Sequence, residues 1–155
     1  MANDKKGPIF IGNAGGNRSQ VVIAGDNMYV SGVRGEPAPG PGPGNTPGDS
    51  PDATARITQI YNTLKSIAEA QGLTLNDCVK LETAMTNAAY IGPTANLQTL
   101  PEFWGTGPYP VRTHEVWLQM SGSDTISEFP DIPNWPARGD IVEVTATFST
   151  GGKHK

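Results

Sequence analysis

The run Asp140-Ile141-Val142-Glu143-Val144-Thr145-Ala146-Thr147-Phe148-Ser149 alternates apolar and polar residues along most of its length. Successive side chains of an extended strand point to opposite sides. Residues 140–149 therefore read as a strand with Val142, Val144, Ala146 and Phe148 on a buried face and Glu143, Thr145 and Thr147 on the other. A one-sided strand needs neighbours in a sheet and a layer to cover its apolar face.

Both are present upstream. Gln20 to Gly25 and Met28 to Val33 are short β-rich runs separated by Gly25-Asp26-Asn27, which is turn chemistry and predicts a hairpin. Between 51 and 71, Ile57, Ile60, Tyr61, Leu64, Ile67, Ala68 and Gln71 fall at steps of three and four and form one stripe of a helix. Asp49 or Ser50 suits its N-cap, Pro51 its first turn, and Gly72 its stop. Cys78 to Thr86 reads as a third strand, 95–104 as a second helix delayed by Pro93, and 111–120 as a fourth strand. The order ββ-α-β-α-ββ predicts an α+β domain: one mainly antiparallel sheet with two helices on one face. Residues 36–50 and 121–139, rich in Pro and Gly, read as long loops, Gly12 to Asn17 as a turn, and 150–155 as a tail.

Composition bounds the rest. A chain of 155 residues suits a single domain spanning 1–155. No stretch approaches the roughly 20 apolar residues of a membrane span, and the polar N-terminus leads into no apolar signal core, so a cytoplasmic protein with no membrane partner is expected. Cys78 is the single cysteine, which excludes an internal disulfide or a thiolate zinc site. A net charge of −4 speaks against nucleic acid as a partner. His114 and His154 lack a third ligand nearby, so no metal is expected.

The candidate chemistry lies on two strands. Arg112 and His114 are two apart and share a face. The Arg112 guanidinium is a planar fork suited to a carboxylate, or else pairs with an acidic neighbour at the strand's start. His114 suits a proton shuttle or a hydrogen-bonded structural histidine. Glu143, opposite the apolar face, is either a general base or a solvated strand residue. Cys78 reads as a buried, inert thiol.

The order of landmarks decides between these alternatives. Arg18-Ser19-Gln20 leading into a strand, Ser31-Gly32 ending the next, and the helix end Ala70-Gln71-Gly72 followed by Asp77-Cys78-Val79-Lys80 come first. Phe103-Trp104, Pro110-Val111-Arg112-Thr113 and Val142-Glu143-Val144 follow. In this order they resemble the RidA (YjgF/YER057c) family of enamine/imine deaminases over residues 8–150, apart from the two long loops. The resemblance implies a chorismate-mutase-like subunit, a homotrimer with clefts between subunits, and no cofactor. It implies Arg112 as the clamp for a substrate carboxylate, Glu143 as the residue directing the hydrolytic water, and Ser31 and Asn96 as walls of the site. Two positions depart from the pattern: Arg18 stands where many members carry Tyr, and His114 where they often carry Cys. Phe129 and Trp135 in the second loop are further additions. With Arg18 and Arg112 both in the cleft, a dicarboxylic enamine of the aminomuconate kind is the expected variant of the usual 2-aminoacrylate or 2-iminopropionate substrate. A non-catalytic small-molecule binder is the alternative, and the ribonuclease activity attached to some members fits the acidic chain least.

Overall fold

The computed structural model describes residues 7–12, 19–34, 51–85, 93–116 and 142–152, with only the backbone described for 51–53 and 93–98. Among the described residues six strands form one sheet: β1 (Ile9–Ile11), β2 (Val21–Ala24), β3 (Asn27–Arg34), β4 (Cys78–Met85), β5 (Val111–Val116) and β6 (Val142–Ser149). Their order is β1-β2-β3-β6-β4-β5, and every pairing is antiparallel except β4 with β5. Among the described residues, helices α1 (Pro51–Ala70) and α2 (Pro93–Trp104) make the expected α+β layer, with a 3-10 turn at Leu75–Asp77.

The last strand in sequence is central in space. Val142, Val144, Ala146 and Phe148 are all buried, while Glu143, Thr145 and Thr147 alternate with them on the open face. Their partners Met85, Thr83 and Leu81 on β4, and Val30 and Met28 on β3, are buried on the same side. Ile57, Ile60, Tyr61, Leu64 and Ala68 of α1 pack on this surface in the spacing read from sequence. Each large aliphatic side chain or Phe buried here contributes about 1.5–3 kcal/mol, so this layer is the main source of stability.

Aromatic contacts tie α2 to α1. The Tyr61 ring meets Phe103 at 5.4 Å and Trp104 at 5.1 Å, both edge-on. Trp104 Nε1 donates to the Leu75 carbonyl at 2.9 Å, which satisfies its one polar group inside the core. The hairpin turn is tighter than the sequence implies. Asn27 already pairs with Ala24, leaving Gly25 (φ +60°) and Asp26 as the loop, and the Asp26 carbonyl accepts from Thr150 N–H at 2.9 Å.

Two elements differ from expectation. β1 is absent from the sequence reading because three residues are too few to show a period; it pairs with β2 at the sheet's edge. α2 starts at Pro93 rather than 95, since proline lacks only an N–H that the first turn leaves unused. Residues 13–18, 36–50, 86, 117–120, 121–139, 140–141 and 153–155, over which a turn, loops, strand ends and a tail were expected, lie outside the described residues.

No helix among the described residues is long and apolar enough to cross a membrane. Removing the Phe148 ring, which has no solvent exposure, is expected to cost about 3–5 kcal/mol. Urea unfolding of Phe148→Ala against the wild type measures this, with Val79→Ala, at an exposed position, changing little.

Candidate functional site

β5 is an edge strand whose residues are mostly exposed, yet its register fixes where each side chain points. Arg112 pairs with Leu81 and His114 with Thr83, both of which face the helices. Paired residues of neighbouring strands lie on the same side of a sheet. Arg112 and His114 therefore occupy the helix-covered side at its rim, as their two-residue spacing requires. The Arg112 guanidinium is close enough to Tyr61 of α1 to oppose, in part, the burial that raises the phenol's pKa. Its Nη1 is buried and has no hydrogen-bond partner among the described residues. A buried cationic donor is costly to leave unpaired, and a hydrogen-bond acceptor with negative charge would satisfy it.

His114 sits beside this charge. Partial burial of its ring, and then the Arg112 charge, hold its pKa below the usual value of 6.5. The imidazole is thus neutral at neutral pH, able to accept a proton but holding none to donate beyond its single N–H. Cys78 is buried, donates its S–H to the Lys80 carbonyl at 3.6 Å, and its pKa is pushed up to about 12 by burial. It is an inert core thiol, as expected from sequence.

Glu143 lies on the other side of the sheet. It pairs with Ala84 of β4, alternating with buried Val142 and Val144. Its register partner on β3 is Arg34, whose Nε donates to Glu143 Oε2 at 2.6 Å. The pair is partly exposed, at 38% and 28% for the two side chains, and contributes only about 0.2–1 kcal/mol to stability. Its effect is positional. β3 bulges between Val30 and Val33, and the Glu143 side chain lies over Gly32, where any Cβ would collide with its carboxylate. A glycine is required by that close approach. Ser31, half-buried in the bulge, donates its N–H to the Gln20 carbonyl at 2.9 Å.

The sequence-derived residues thus form two groups on one chain. Ser31 and Glu143 gather at the β3–β6 bulge; Arg112 and His114 gather at β5 against α1. Within a single subunit the sheet separates them. Asn96 lies in the first half of α2, its side chain beyond description, and Arg18 lies outside the described residues. One residue of the first group was not singled out from sequence, Arg34, which ends β3 before the Pro/Gly run; Gly32 stands in the sequence only as a landmark, and its need for a bare Cα shows only in the register. Among the described residues no cluster of His, Cys, Asp or Glu is arranged to hold a metal.

Similar architectures are known. A probable translation initiation inhibitor from Rhodopseudomonas palustris is 27% identical, with a TM-score of 0.60 over 94% of this chain and 92% of its own. RidA from an Antarctic Psychrobacter is 24% identical, with a TM-score of 0.54 over 88% and 91%. A YjgF/YER057c/UK114 family member from Mycobacterium tuberculosis is 17% identical, with a TM-score of 0.58 over 92% and 98%. No protein-family model matches the chain, and no curated protein matches it by sequence.

The depressed His114 pKa links pH to stability. Protonation favours the unfolded chain, so this contribution is present above pH 6.5 and is lost as pH falls through the lower folded value. Melting curves between pH 7 and about pH 5 should fall less steeply for His114→Gln than for the wild type.

Proposed function

From the RidA (YjgF/YER057c/UK114) family fold that this chain has, we propose that it is a hydrolytic deaminase of enamine and imine carboxylates. The observation that carries this reading is the buried, unpartnered Arg112 Nη1 at the start of β5. A carboxylate fills that need with two parallel charge-assisted hydrogen bonds and fixes the plane of an adjoining C=N bond.

The two groups of residues meet if the site spans two subunits. The open face carries the exposed apolar side chains Phe10, Tyr29 and Val111, and its burial against further copies in a homotrimer covers them. Glu143 and Ser31 of one subunit then face the β5 rim of its neighbour, where Arg112 and His114 lie. The enamine first takes a proton at its β-carbon and becomes the iminium. Water adds to the iminium carbon while Glu143 accepts the water's proton. Collapse of the resulting carbinolamine expels ammonia, with that proton returned to nitrogen, and the hydroxyl proton passes to solvent, replacing the one taken up at the β-carbon, to leave a 2-oxo acid. Neutral His114 relays protons at the carboxylate end. The substrate is of the 2-aminoacrylate/2-iminopropionate type or a dicarboxylic analogue, and neither a metal nor an organic cofactor takes part.

A second reading, a non-catalytic binder of small carboxylates, is favoured by one observation. In a single chain Arg112 and Glu143 lie on opposite sides of the sheet, so Arg112 meets a ligand without that carboxylate.

Ammonia release from imines generated in situ by an amino-acid oxidase tests the proposal. Arg112→Ala is expected to lower kcat/KM by about thirtyfold or more, with Arg112→Lys a poor substitute for the planar fork. Glu143→Gln is expected to lower kcat by about 10²–10⁴-fold. Wild-type turnover no faster than the uncatalysed rate, with carboxylate binding intact in Glu143→Gln, selects the binder.

A further inference from the structure

We infer that Arg34 is the positioning residue of Glu143, fixing which carboxylate oxygen meets the water; this rests on the deaminase reading. The pair is defined by three independent features. Arg34 and Glu143 are direct register partners on the open face of antiparallel strands. The contact is a short charge-assisted hydrogen bond, 2.6 Å from Nε to Oε2, so that oxygen is committed to the guanidinium. Gly32, inside the bulge, lacks the Cβ that would collide with the other oxygen, Oε1, where it lies across the strand. A carboxylate with one oxygen held and the other directed has lost most of its rotational freedom before substrate arrives. Such preorganisation lowers the barrier of a water-directed step without altering how tightly the ground state binds.

Nothing else among the described residues offers Glu143 the same fixation. Glu82 on the open face is already paired with Lys80 at 3.2 Å, and Thr145, the next open-face residue on β6, carries no charge. Because the pair is partly exposed, its removal leaves the core untouched. Arg34 therefore acts through Glu143 and separates in its effects from Arg112: loss of Arg112 weakens carboxylate binding, whereas loss of Arg34 slows the chemical step.

The test measures ammonia release by the full-length protein with Arg34 replaced by Ala or Lys. Arg34→Ala is expected to lower kcat about tenfold with KM within about twofold of wild type, and to keep the wild-type melting temperature. Millimolar guanidinium chloride added to Arg34→Ala, or the Lys substitution, should restore part of kcat. An unchanged kcat, a change in KM alone, or a loss that neither guanidinium nor Lys relieves would overturn the assignment while leaving the deaminase reading standing. A wild type with no turnover overturns both.

Discussion

The pleat of β6 is the constraint on which everything else in this protein depends. Four of its side chains enter the core and the three between them are obliged to leave it. The strand is central, paired with β3 and β4, so its two faces become the two faces of the whole sheet. One face is covered by α1 and α2 and holds the stability of the fold. The other is open and carries Glu143. A one-residue slip would exchange the two sets, burying a carboxylate and exposing Phe148, and the cost of that exchange makes the register unambiguous.

The same constraint separates the candidate chemistry. β5 joins the sheet in parallel next to β4, and that register turns Arg112 and His114 towards the helices. The only buried cationic nitrogen without a partner among the described residues is thus on one side of the sheet and the candidate base on the other. Under the proposed reading this separation makes assembly a condition of activity: one subunit supplies the clamp and another the base. The apolar residues left on the open face supply a reason for subunits to come together there.

Much of the fold was legible in the sequence because its strongest patterns are one-sided. The α1 stripe and the β6 alternation announce their buried faces without help from neighbours. The fold implied by the RidA resemblance is the fold the chain has. β5 was harder: Val-Arg-Thr-His-Glu-Val contains no apolar alternation, so its residues share a face with one another but nothing local says which face. That information resides in the pairing Leu81 with Arg112, a contact across 31 positions of chain. Arg34 was invisible for a similar reason. It ends a strand, precedes a Pro/Gly run, and acquires meaning only when an antiparallel register sets it against a residue 109 positions away. Gly32 reads as an ordinary strand-end glycine until the carboxylate above it is seen.

Under the proposed reading one site is built from two faces contributed by different subunits. Subunit mixing tests it most directly: Arg112→Ala and Glu143→Gln proteins, each inactive alone, are unfolded, combined in equal amounts and refolded, and ammonia release is measured. About a quarter of the interfaces in randomly mixed rings should pair an intact Arg112 with an intact Glu143 from different chains, restoring activity to about that fraction of wild type. Mixed assemblies that form but stay as inactive as either parent would rule out a site shared between subunits.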